Sequence, residues 1–167
     1  PMSLNMAFAT ALVPSISSSK AIGDIETIRK RVSFSMLISM LIGMPCMIIM
    51  ILFAKQILEL LFPNATSGAF IYQISCLGII FIVLEQTISG ALHGLGKMLT
   101  PAIALGIGVI IKFILNMYLI PINPSDFFLG GTAGAAISTV VCHAVALTIE
   151  FKILSKNINL KLDKNKF

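Results

Sequence analysis

An ionisable side chain inside an apolar run is costly to place in hydrocarbon, so it marks a candidate functional position. Two residues of this 167-residue chain stand that way, Glu85 and Lys112. Helical spacing gives them company. Gly108, Lys112 and Asn116 recur at every fourth position and share one helix face. Thr132, Ala136, Thr139, His143, Ala146 and Glu150 form a second stripe of small and polar residues, and Gly78, Glu85 and Ser89 a third. In hydrocarbon such faces must meet protein or water, because an unsatisfied polar group is penalised. One outcome is a hydrated cavity for a polar substrate, with Glu85, Lys112, Asn116, Thr139 and His143 as its candidate lining. The other is close helix packing through the small residues.

The roles differ by residue type. Lys112 lies roughly 15–18 Å from the start of its helix at 1.5 Å per residue, which is near the bilayer midplane. It is a candidate for an anionic head group, a structural ion pair with Glu85, or a lysine whose stem snorkels to the interface. Histidine changes charge near neutral pH, so His143 is a candidate for proton coupling or simply a hydrogen-bonding neighbour. Reaction chemistry finds no support. Gly96-Lys97 lacks the Ser or Thr that must follow a phosphate-loop lysine. Cys46, Cys76 and Cys142 lie in apolar runs and match no metal or redox spacing. The expectation is a protein that is not an enzyme, with no catalytic residues, no metal and no cofactor.

The elements that must position these residues are set by composition. Hydrophobic residues make up 57% of the chain and charged ones 11%. That leaves too few charges to coat a soluble globule and excludes disorder. Trp is absent and the cations do not cluster among aromatics, so nucleic acid is not an expected partner. A spanning helix needs about 20 mainly apolar residues. Such runs occur at 32–54, 68–92, 100–122 and 130–151, with the tail of a fifth at 1–19. Long runs without alternation of period two give an all-α, polytopic membrane helix bundle. Turns are expected at Gly23-Asp24, Pro63-Asn64, Gly94 to Gly96 and 121–131, with Asp24 capping a helix and Glu26 supporting Lys30 four residues on.

Ten of the twelve cations lie in alternate connectors or after the last apolar run, from Lys152 through the basic tail at 156–167. The positive-inside rule places those connectors and the C-terminus in the cytoplasm of a multi-pass cell-membrane protein. The chain opens at Pro1 on residues that read like the middle of a longer sequence, so a piece of a larger membrane protein is expected.

The run Gln86 to Lys97, followed by Thr100-Pro101, Lys112 and Asn116, resembles the C-terminal lobe of bacterial polysaccharide exporters. So do Ala11 to Ser17 and Gly131 to Thr139. The similarity is to the branch of stage V sporulation protein B-like flippases, relatives of the lipid II flippase and of the multidrug and toxin extruders. That resemblance implies two six-helix lobes around a central cavity, of which this chain supplies later helices of the second. It implies alternating access and a lipid-linked cell-wall or polysaccharide precursor as substrate. The implied partners are membrane lipids, that lipid-linked saccharide and the N-terminal lobe. A cation-coupled drug extruder and a non-transporting membrane scaffold are the competing expectations.

Overall fold

The computed structural model describes residues 2–62, 68–123 and 130–158. Among them the chain forms six helices: α1 Met2–Ala21, α2 Ile25–Leu52, α3 Ala54–Leu61, α4 Ala69–Gly94, α5 Leu99–Leu119 and α6 Thr132–Ile158. The turn expected at Pro63-Asn64 and most of the 121–131 connector lie outside the described residues, as does the tail with Lys161, Lys164 and Lys166. Helices α2, α4, α5 and α6 are long and apolar enough to cross a membrane. The protein is therefore a polytopic helix bundle. Helix α1 has 20 residues but is more polar, so the fifth crossing is not carried by length and composition.

Local chemistry sets the helix boundaries. Gly23 takes a left-handed backbone (φ 71°), and the Asp24 carboxylate then accepts from the Thr27 N–H at 2.9 Å, capping α2. Glu26 and Lys30 pair one turn apart at 2.8 Å on the exposed side. Gly96 (φ 77°) turns the chain between α4 and α5. Helix α2 ends at Leu52, short of the expected 54. The chain then enters α3, a separate short helix that the uninterrupted apolar run concealed.

Helix α4 is the axis of the bundle, more than half buried where the other spans are largely open. Helices α1 and α2 pack on one side of it and α6 on another. Burial along α1 falls on Asn5, Ala9, Leu12, Ile16 and Ser19, a single helical stripe turned to α4 and α2. Ile16, Ile28, Val32, Ile88, Leu92, Leu154 and Ile158 form the main core, joining α1, α2, α4 and α6. Met, Leu, Ile and Phe side chains of α2 and α5 face outward, as a lipid-facing surface requires.

One expectation is corrected. The short Gly94 to Lys97 turn predicts α4 and α5 as packed antiparallel neighbours, but they touch little, and α5 lies on α6 instead. The reason is steric fit. Buried Gly108 lets the α5 backbone close on α6, where a Cβ would stand 2.6 Å from the Cys142 carbonyl oxygen. Asn116 accepts a hydrogen bond from Ser138 on the same contact face.

Candidate functional site

The seam between α4 and α6 carries a row of polar residues in the membrane region. Residues 78, 85 and 89 of α4 and 139, 143 and 150 of α6 recur at helical spacing, so each helix turns one polar stripe to the other. Gly78 allows the approach, with Val140 Cγ2 at 3.4 Å from its would-be Cβ. His143 Nδ1 and Glu85 Oε2 then stand 2.6 Å apart, with side-chain exposures of 23% and 11%. Further along the seam the Ser89 hydroxyl donates to Glu150 Oε2 at 2.9 Å. Glu150 is fully buried, and its other oxygen, Oε1, has no hydrogen-bond partner among the described residues.

Two hollows flank this seam. A cleft of about 220 Å³ lies between α1 and α4, lined by Met6, Ala9 and Val13 on one side and Glu85, Gln86, Ser89 and His93 on the other. A smaller hollow of about 90 Å³ between α4 and α6 is bordered by Ser75, Gly78, Thr139 and His143. The Glu85–His143 pair thus joins the two hollows, Glu85 lining one and His143 the other.

The five candidate residues do not form one cavity. Glu85 and His143 are in contact, and Thr139 borders the same hollow as His143, its hydroxyl donating back to the Ala135 carbonyl at 2.9 Å. Asn116 is spent on Ser138 across the α5–α6 contact. Lys112 sits on α5 between the levels of Gly108 and Asn116, half-buried, and makes no ion pair or hydrogen bond with the described residues. The pairing of Glu85 with Lys112 is therefore corrected to Glu85 with His143. Helix α6 stands between α5 and α4, so the lysine meets α6 rather than the carboxylate.

Sequence reasoning passed over two features. Glu150 falls at the end of the apolar run, which suggests an interfacial position, but α6 continues to Ile158 and buries it. Its place on the His143 stripe was the available signal. The second is a buried polar node joining three helices. Asn5 Nδ2 donates to the Val83 carbonyl at 2.8 Å and to Gln86 Oε1 at 3.1 Å, while the Ser39 hydroxyl donates to Asn5 Oδ1 at 2.8 Å. Ser39 and Thr87 hydroxyls are 2.6 Å apart. A single Asn and a single Ser, in different helices, carry no joint signal in sequence.

The close approach of α1 to α4 rests on Gly90 and Gly94. A Cβ at Gly90 would stand 2.5 Å from the Ala9 carbonyl oxygen, and one at Gly94 would stand 2.7 Å from Ile16 Cβ. The Gly90-x-x-x-Gly94 spacing is thus a packing device, and it forms one wall of the cleft.

The MatE family profile matches residues 2–118, most of the chain and all of the α1–α4 cleft. The chain belongs to the MatE family. Members of this family are membrane transporters, which agrees with the apolar helices and with polar seams turned inward. The chain is also 29% identical over 139 residues to a protein of Bacillus subtilis (strain 168) described as "Uncharacterized membrane protein YabM". That alignment covers 83% of this chain and 25% of the relative, so the chain spans about a quarter of that protein's length. No solved structure matches.

Proposed function

We propose that this chain is part of an alternating-access exporter of the cell membrane in which the Glu85–His143 pair couples substrate movement to a cation. The observation that supports this is the 2.6 Å contact between a carboxylate and an imidazole at the border of two hollows inside the apolar bundle. Two groups that can share one proton respond to a change of ion or proton occupancy by a change of charge. A charge change inside a low-dielectric seam alters which helix packing is favoured.

The proposed substrate is a lipid-linked saccharide precursor of cell wall or polysaccharide, turned from the inner to the outer leaflet. The resemblance of the Gln86 to Lys97 run supports it, as does the lining of the α1–α4 cleft. Met6, Ala9 and Val13 suit an acyl or prenyl chain, and Gln86, Ser89 and His93 offer hydrogen bonds to a head group. A second reading, cation-coupled drug extrusion, is favoured by the same Glu85 carboxylate.

The test is Glu85→Gln in the protein reconstituted in proteoliposomes, with precursor translocation and drug efflux measured side by side. Losing one partner of a buried hydrogen-bonded pair costs about 1–3 kcal/mol, which at the transport barrier lowers coupled transport by roughly five- to 160-fold. Loss of precursor flipping supports the proposal. Loss of drug efflux at intact precursor flipping supports the extruder. Unchanged activity in both assays refutes a coupling role for the pair.

A further inference from the structure

Glu150 has no part in the pair just described, yet it is the most deeply buried carboxyl of the described chain, with no exposed surface. Among the described residues its one donor is a neutral hydroxyl, that of Ser89, at 2.9 Å. Oε1 is buried and has no hydrogen-bond partner among the described residues. An ionised carboxylate held by a single neutral donor in a dry core carries a large desolvation penalty, and the neutral acid carries a smaller one. Ser89 is meanwhile not sealed. It lines the α1–α4 cleft beside Glu85, so one residue borders the cleft while its hydroxyl meets the buried carboxyl.

We propose that Glu150 is a second proton-holding site, exchanging its proton with the α1–α4 cleft through the Ser89 hydroxyl. This inference rests on the reading of Glu85 and His143 as the coupling pair and adds a reservoir to it. The step balances by a shift of two protons. A hydronium in the cleft gives a proton to Ser89 Oγ and becomes water, while the Ser89 proton passes to Glu150 Oε2. Ser89 ends neutral, and a glutamate has become a glutamic acid. Unloading is the reverse, with Glu85 and His93 as acceptors one turn away on the cleft wall.

The other groups around Glu150 leave this route uncontested. On α4, Glu85 and His93 each lie one turn from Ser89 on the cleft wall. On α6, His143 is two turns away and bonded to Glu85. Helix α5 offers Lys112, between the levels of Ser138 and Cys142 and so roughly 12 Å or more along α6 from Glu150. Helix α2 contributes Ile28 and Val32 to the core beside Leu154, while Arg29 donates to the Ile158 carbonyl. Arg31 of α2 donates to Ser15 of α1, and Lys20 of α1 to the Leu95 carbonyl at the end of α4.

Infrared difference spectroscopy on the membrane-reconstituted protein reads this directly and independently of transport. Wild type should show the carbonyl stretch of a buried protonated carboxyl that Glu150→Gln removes. Glu150→Asp should move the same band, which assigns it even where the Gln variant folds poorly. Ser89→Ala should keep the band but slow its deuterium shift by about tenfold or more, since exchange must then wait for local opening. A spectrum unchanged by both Glu150 variants, or an unchanged exchange rate in Ser89→Ala, overturns the proposal. Glu85→Gln should leave the band in place, so failure of the coupling reading in transport assays stays separable from failure of this one.

Discussion

At the residue scale, the decisive fact is which partners the ionisable groups find. Glu85 finds His143, Glu150 finds Ser89, and Lys112 finds none among the described residues. Lys112→Met should therefore change coupled transport by less than about twofold, the range of a substitution outside a bonded network. A large loss in a flux assay would instead restore Lys112 to the substrate path. The Asn5 node carries the opposite expectation. Asn5→Ala removes the Asn5 acceptor of Ser39 and one of two side-chain donors to the Val83 carbonyl, a cost of about 1–3 kcal/mol that thermal unfolding in detergent should register. Outside the membrane region, hydrogen bonding to Thr27 holds the Asp24 carboxyl below its ordinary value. Its cap is thus fully present above the unfolded-state value and is lost only as pH falls through the lower folded one. Amide exchange at the start of α2 should stay protected at neutral pH and weaken only in acid.

At the scale of elements, packing follows the small residues rather than the shortest connection. Gly90 and Gly94 seat α1 on α4, and Gly108 seats α5 on α6. Gly90→Val adds atoms where a Cβ already meets the Ala9 carbonyl, so α1 must shift at a cost of about 1–3 kcal/mol. Because α1 forms one wall of the cleft, the same variant should alter access to Ser89 and Glu85. Labelling a Thr10→Cys substitution on that wall, before and after Gly90→Val, measures the change. The helices themselves were legible in the apolar runs, with the Asp24 cap and the Gly96 turn marking their ends. Their neighbours were not. A short turn says that two helices are consecutive, but surface fit decides whether they pack. The same limit applied to the site. Residues 139 and 143 were visible as one face of one helix, while the helix they would meet was not.

At the scale of the whole molecule, most of the described cations gather at one end of the bundle, Lys55 and Lys112 excepted. Lys20 donates to the Leu95 carbonyl at 2.7 Å, Arg29 to the Ile158 carbonyl at 3.2 Å, and Arg31 to the Ser15 carbonyl at 2.5 Å. Leu95 caps α4 and Ile158 ends α6 as described, where helix dipoles are negative, while Ser15 lies more than a turn before the end of α1. The basic cluster thus ties the ends of α4 and α6 to their neighbouring helices, and by the positive-inside rule we expect that side in the cytoplasm. Lys30→Cys should then react with an impermeant thiol reagent only from the cytoplasmic side, and Lys55→Cys only from the outside. Labelling of both from one side would overturn the orientation.

By itself, the sequence determined that this is a helical membrane protein, because 57% hydrophobic residues in long unbroken runs have few other stable states in water or lipid. It also determined which residues are costly in a membrane, since that cost depends on residue type and run length alone. Only the tertiary structure decided that Glu85 meets His143 rather than Lys112, and that Glu150 is interior. Those outcomes depend on which helix faces which, and that is set by contacts between residues about 60 positions apart, as with Ser89 and Glu150 at a separation of 61. Periodicity fixes the face of one helix, and only packing supplies the second.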